Sequence, residues 1–336
     1  MKRTTRFWAL CLVIVMVLMA GGTRIASAAE IISFATKPMG GIVYSLSAGM
    51  ASIFTKYADV QVRVEPIQSI KQWGPLMQRG EVDLAFDNAV DSGGAYRAEG
   101  FFKVGQGKLT KFRLVAAGHE TLMCLWTSPA TGIKSIKDFE GKRVVLVTPP
   151  GAPTTTATGK YLVDDYYKLE GKYKKLEIGS PAECTTALIE GRIDVYQFPA
   201  GPHIEELKRS VGVMPIPIPK EAVEYIGQKV PGIYPGIVEK GVYGLTEDLP
   251  CIAWRGIVVA REDLNPELVY KLMTALYSHL DELHAVHPLA KPWVLANATK
   301  GPTVPFHPGA IKFYKDKGVW TPELDKIQEK NLADGK

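Results

Sequence analysis

Four cysteines stand in 336 residues, and one of them, Cys11, falls in an apolar stretch near the start. The other three, Cys124, Cys184 and Cys251, are too few for a disulfide-dense scaffold and show neither zinc-type spacing nor a CxxC pair. Buried, inert thiols are the expected state; a bridge between Cys124 and Cys251 is compatible with the sequence, which does not select it. Catalytic signatures are missing as well: there is no GxSxG, no HExxH, no Walker lysine loop and no GxGxxG. The six histidines are scattered, and the one close pair, His284 and His287, precedes Pro288 at a helix end, where a cationic ring suits the dipole. No metal, cofactor or catalytic set is expected.

Excess charge is absent too once the first segment is set aside. Four of the 40 basic residues, Lys2, Arg3, Arg6 and Arg24, and none of the 35 acids lie in the first 28 positions. The rest is close to neutral, so nucleic acid is not an expected partner; the basic stretch from Lys168 to Lys175 is read as a solvated helix end. The first segment itself has basic residues, an apolar run from Phe7 to Ala20 and then Ala26-Ser27-Ala28, the pattern of a secretory signal peptide. The run is short of the roughly 20 apolar residues of a membrane span. The mature chain is therefore expected to begin near Ala29, outside the cytoplasm, in the periplasm.

What the sequence does contain is a unit that occurs twice. Leu76-Met77-Gln78-Arg79-Gly80-Glu81-Val82-Asp83-Leu84-Ala85-Phe86 is echoed by Leu188-Ile189-Glu190-Gly191-Arg192-Ile193-Asp194-Val195-Tyr196. Each reads as a helix closed by Gly, a charged residue, then an apolar strand that begins at Asp. The pair suggests two similar α/β lobes, and a cleft between lobes is where small molecules are held.

Strand and helix signals alternate around these units. Strands are expected at Glu30 to Ala35, Val60 to Glu65, Asp83 to Phe86, Arg113 to Ala117, Thr121 to Trp126, Arg143 to Val147, Leu176 to Ile178, Ile193 to Gln197 and Cys251 to Ala260. Helices are expected at Val43 to Tyr57, Ile70 to Gln78, Thr154 to Leu169, Pro181 to Ile189 and Pro266 to His284, with a short charged one closing the chain. Pro and Gly crowd Val213 to Gly244, which reads as a long loop. The simplest topology inserts one lobe in the other: lobe 1 at 29–128 plus 250–336, lobe 2 at 129–249, with crossings near Trp126 and Leu249 acting as a hinge.

In open α/β sheets ligands bind beyond the carboxyl ends of strands, so the turns there are the candidate site. After the first strand come Thr36, Lys37, Pro38, Met39, Gly40, Gly41 and Tyr44, leading into a helix whose free amides favour an anion. After the third come Asp87 and Asn88, which either cap the next helix or face the cleft. The matching turn of lobe 2 carries Gly151, Thr154 and Thr155, and another strand there ends in Phe198, Pro199, Ala200 and Gly201.

Taken in order, Thr36 to Tyr44, Gly80 to Phe86, GIKSIKDFEGKRV at Gly132 to Val144, GRIDV with Ala200-Gly201-Pro202, Tyr234-Pro235-Gly236 and HPGAIKFYKDKGVW at His307 to Trp320 carry a resemblance. The chain resembles the TAXI family of solute-binding proteins of TRAP transporters along essentially all of its mature length. The resemblance implies a two-lobe type II periplasmic-binding fold, no catalysis, and delivery of a small organic anion, glutamate-like or dicarboxylate, to the membrane permease subunits of a secondary transporter. Of the family's first turn only Thr36, Gly40, Gly41 and Tyr44 carry over; Lys37, Pro38 and Met39 replace small residues, Asn88 stands where Gln is common, and Ala152 replaces Ser. The pocket is expected to differ in shape from the glutamate type while still taking a carboxylate, with Tyr44 stacking or hydrogen-bonding and Thr154, Thr155 and first-turn amides as donors. A monomer is expected. Two rivals share the fold: a ligand sensor that docks on a signalling protein, and a secreted enzyme built on Asp87 or His119.

Overall fold

The computed structural model describes residues 30–336 except 40, 68, 106, 147–151 and 202. The expected signal segment, Gly40 and Gly151 thus lie outside the described residues. Residues Ile31–Lys336 form one compact unit, and among the described residues no helix is long and apolar enough to cross a membrane.

The chain alternates as expected in its first part: β1 (Glu30–Thr36), α1 (Ile42–Tyr57), β2 (Val60–Pro66), α2 (Ile70–Gln78), β3 (Leu84–Asn88) and α3 (Ala89–Arg97). There follow β4 (Phe112–Thr127), β5 (Arg143–Val145), α4 (Pro153–Gly159), β6 (Lys174–Lys175), α5 (Pro181–Ile189), β7 (Val195–Pro199) and α6 (His203–Ser210). The last third holds β8 (Met214–Ile216), α7 (Lys220–Lys229), β9 (Tyr234–Val238), β10 (Leu249–Arg261), α8 (Pro266–Ser278), α9 (Leu280–His284), α10 (Pro308–Asp316) and α11 (Pro322–Asp334). Among the described residues the ten strands join one sheet in the order β2-β1-β3-β10-β4-β7-β5-β6, with β8 beside β4 and β9 beside β10. The β1/β3, β5/β7 and β5/β6 pairs are parallel, as crossover helices require. Strand β10 is antiparallel to β3, β4 and β9.

The apolar interior falls into three clusters. The first is built from residues between Ile32 and Ala117 and between Ile257 and Leu324. The other two draw mainly on Met123 to Trp254, one around Phe139, Leu162 and Ile226, the other around Trp126, Tyr196 and Val238. Strands β4 and β10 run through both regions, and their register shifts between Arg255 and Ile257, where the first core gives way to the others.

The twin units serve the same purpose in both places. Gly80 and Gly191 take φ of 79° and 67°, a left-handed turn that glycine adopts without strain. The carboxylate of Asp83 accepts the Ser33 N–H of β1 at 2.9 Å, and that of Asp194 accepts the Arg143 N–H of β5 at 2.7 Å. Each aspartate thus satisfies a backbone donor of the neighbouring parallel strand.

Four expectations need correction. Residues Arg113 to Trp126 form the single strand β4, because Gly118 to Glu120 stay extended under the Trp293 indole. The segment from Val213 to Gly244 is not a loop: it holds β8, α7 and β9. Its prolines sit where the missing N–H does no harm, Pro215 and Pro235 in short flanking strands and Pro219 at the start of α7. The long helix after Pro266 breaks at His279 (φ −130°), whose ring stacks on Tyr57 with centroids 3.4 Å apart. The expected Thr154 to Leu169 helix is α from Pro153 to Gly159 and π-helical from Lys160 to Tyr166.

Candidate functional site

The carboxyl ends of β1 and β3 bring Lys37 to Asp87, whose side chain is fully buried; Lys37 Nζ lies 3.3 Å from Asp87 Oδ1. Ser92 Oγ on α3 donates to the other oxygen, Oδ2, at 3.0 Å. Burial pushes the Asp87 carboxyl up to about 6, against the pull of Lys37, and the nearby Asp91 adds to the rise.

Asn88 resolves its two expected roles in favour of the cap: its Oδ1 accepts the Asp91 N–H at 2.7 Å, and its Nδ2 donates to Asp91 Oδ2 at 2.9 Å. This geometry turns Asp91 toward α4. There Asp91 Oδ1 accepts both the Thr154 N–H at 3.1 Å and the Thr154 hydroxyl at 2.6 Å, with Asp91 and Thr154 both buried. Lys37, Asp87, Ser92, Asn88, Asp91 and Thr154 therefore form one connected polar node between the β3–α3 turn and the start of α4. Ionised, it holds two carboxylates against one ammonium. It has the donors and acceptors to recognise a small polar molecule.

The other candidates sit apart from the node or serve the scaffold. Thr36 is buried, its hydroxyl 2.7 Å from Ser47 Oγ, which fastens β1 to α1. Gly41 is the residue before α1 and spends its N–H on Pro38 O within the turn. Tyr44 is half-buried on the first turn of α1. Met39 is 72% exposed, so it fills no pocket here. Thr155 is buried; its carbonyl accepts weakly from Gln197 Nε2, which bonds Thr158 Oγ1 at 2.8 Å. Phe198 packs edge-on against His203 and its carbonyl accepts the Trp126 indole N–H, while Ala200 N–H bonds Leu122 O, continuing the sheet. His119 is buried against Trp293, and burial, assisted by Arg255, pushes it down to about 4. It is thus neutral and unsuited to a charge-bearing role in ordinary water.

Sequence reasoning missed Asp91, Ser92 and Gln197. Asp91 had a signal, because an Asn followed three residues on by an acid is a helix-start pattern. Gln197 Oε1, buried without a hydrogen-bond partner, had none. A surface hollow of about 420 Å³ lined by Lys208, Pro217, Tyr243 and Asp248 contains none of these residues. The node is preferred as the site because it lies at strand ends and gathers buried charge. Among the described residues no group of three or more His, Cys, Asp or Glu side chains is placed to hold a metal ion.

Parallel strand–helix units joined by long antiparallel strands match the folds of solved proteins that include a solute-binding protein. The chain belongs to the NMT1-like family, which it matches over residues 34–318. In structure it is similar to XAC2383 from Xanthomonas citri bound to ATP, with a TM-score of 0.52 and 10% identity over 91% of this chain and 97% of that one. It is also similar to MatC from Rhodopseudomonas palustris with bound malate, at TM-score 0.50 and 14% identity over 89% and 98% of the two chains. A third likeness is to a TctC solute-binding protein from Polaromonas, at TM-score 0.50 and 13% identity over 79% and 87%. At such identities the likeness is one of fold.

Proposed function

We propose that this protein is a non-enzymatic extracytoplasmic receptor that captures a small organic anion and delivers it to a TRAP-type secondary transporter. The observation that carries the proposal is the Asp91–Thr154 contact. Thr154 offers two donors to a carboxylate, and in this structure the protein's own Asp91 takes them. A ligand carboxylate would exchange with Asp91 at that seat, with Lys37 and the α1 turn on the opposite wall. The two-lobe division, with 29–128 plus 250–336 on one side and 129–249 on the other, would supply the opening, with the crossings near Trp126 and Leu249 as its hinge. MatC, a relative in fold, holds malate, which agrees with a carboxylate ligand.

A second reading of the ligand follows from the charge count in the node. Asp87 and Asp91 outnumber Lys37, which favours a carboxylate that also bears an ammonium group, an amino acid, over a dicarboxylate. Calorimetry of the purified protein against dicarboxylates, amino acids and neutral analogues decides between them. Asp91→Ala removes the internal competitor, and the expected result is about tenfold tighter carboxylate binding, the factor that one charge-assisted hydrogen bond is worth. Binding of neutral or purely cationic compounds alone would sink the proposal. Uptake by membranes carrying the permease, with and without this protein, tests delivery.

A further inference from the structure

We propose that Cys124 and Cys251 are the two halves of a disulfide that closes between β4 and β10 as the exported chain folds. The register places them together. Ile252 faces Met123 and Ala253 faces Leu122 in the antiparallel β4/β10 pair, so the next step sets Cys251 opposite Cys124. Beyond that step the strands part, since β8 pairs with β4 at Leu125 to Thr127 and Ile218 N–H bonds Pro250 O of β10. The cysteines therefore stand at the root of a fork. Both side chains are buried in the same cluster, with Trp126, Val238 and Leu249, and so share one face of the sheet. Directly opposed antiparallel residues have Cα atoms about 4.5–5.5 Å apart, inside the roughly 4.4–6.8 Å that a disulfide spans. The two thiols are free in this structure, and burial, assisted by the neighbouring Cys251 thiol, raises Cys124 well above its usual range. A thiol held so far above neutrality is a poor nucleophile once the core has closed, which dates the reaction to the folding chain.

The chemistry needs an oxidant, and a protein or small-molecule disulfide supplies it. One cysteine thiolate attacks a sulfur of the oxidant, forming a mixed disulfide and releasing one thiol. The second thiolate then attacks the protein-bound sulfur, forming the Cys124–Cys251 bond and releasing a second thiol. Two cysteines lose two protons and two electrons, and one external disulfide is reduced to two thiols. Cys184 keeps its thiol, on helix α5 of the same cluster. The bond would fix the root of the β4/β10 fork and close a loop of well over a hundred residues, the length at which cross-links restrict the unfolded chain most.

The proposal rests on the extracytoplasmic location given above, and the test separates the two. The full chain is refolded in a glutathione redox buffer and, separately, recovered from a bacterial periplasm. Each sample is alkylated under denaturing conditions before and after reduction, then mapped by peptide mass. The expected result is a Cys124–Cys251 peptide in both samples, with Cys184 alkylated without reductant, and a melting temperature that falls by on the order of 5 °C on reduction. Cys124→Ser with Cys251→Ser should melt near the reduced protein and be insensitive to reductant. A link to Cys184, or no link after refolding, overturns the proposal; so does a link on refolding that is missing from the periplasmic sample. A cross-linked protein that binds no organic acid leaves the disulfide standing and removes the receptor proposal. An organic-acid receptor without the cross-link does the reverse.

Discussion

Replacing Asp194 by Ala measures how much of the fold depends on one aspartate at a strand start. Its carboxylate accepts from the Arg143 N–H at 2.7 Å, from Arg143 Nε at 3.0 Å and from Nη2 at 2.7 Å. The backbone bond is charge-assisted and, at a site where the Asp194 side chain is 15% exposed, is worth about 1.5–3 kcal/mol. The guanidinium, 38% exposed, adds at most about 1 kcal/mol. The expected loss is therefore about 2–3 kcal/mol, and calorimetry should show the melting temperature lowered by about 5–8 °C. Ligand affinity should not change, because Asp194 faces β5 and not the node. The Arg143 side chain, against a smaller opposing effect of burial, holds the Asp194 carboxyl below its usual 3.8, helped by the Arg143 backbone N–H. Stability from the ionised form is thus complete above about pH 4 and fades as pH falls through the lower folded value. Wild type and variant should converge on acidification below that point. A variant that melts within about 1 °C of wild type at neutral pH, or a gap that persists unchanged into strong acid, would refute the assignment.

Asp87→Asn should flatten the acid limb of the stability curve. Burial raises Asp87 from 3.8 to about 6, so between those values the folded protein keeps a proton that the unfolded chain releases, and wild-type stability falls as pH rises through that window. Urea midpoints for the variant should be level there, and an identical slope in both proteins would contradict the burial. Gly118→Ala should destabilise by about 1–3 kcal/mol, since a methyl at Gly118 overlaps the Trp293 indole, itself fully buried. An unchanged melting curve would show that the indole can move.

Much of the fold was legible because its parts are local. The α2 and α5 limits, Ile70–Gln78 and Pro181–Ile189, follow from caps and periodicity alone. The twin Gly–Asp units predicted strands, and the structure supplies the reason an Asp stands just before each: the carboxylate serves the parallel neighbour's N–H, a partner about fifty residues away that periodicity cannot name. Prolines misled in the segment from Val213 to Gly244, since Pro marks an edge strand as readily as a loop and only pairing partners distinguish them. In the site, Lys37, Asp87, Asn88 and Thr154 were legible as turn residues at strand ends. Their link was not, because Asp91 joins them only when α3 and α4 are packed together.

Asp83, Asp194 and Asp91 perform the same chemistry, a carboxylate accepting a backbone N–H, with different consequences. Asp83 joins β3 to β1, and Asp194 joins β7 to β5, each within its own parallel set, so no small molecule has access to the exchange. Asp91 joins α3, whose Ala89 and Ala95 belong to the first core, to Thr154 on α4, whose Ala157 belongs to the second. Breaking that contact costs about 1.5–3 kcal/mol, and an incoming carboxylate recovers a similar amount from the same donors. The exchange at the Thr154 seat is then nearly neutral and cannot by itself drive binding, because a ligand shifts an equilibrium only by its differential affinity for the two states. Net affinity must come from a group with no internal substitute, and the buried Gln197 Oε1, which has no hydrogen-bond partner, is one. On this account Gln197→Leu should weaken ligand binding more than Thr154→Val does.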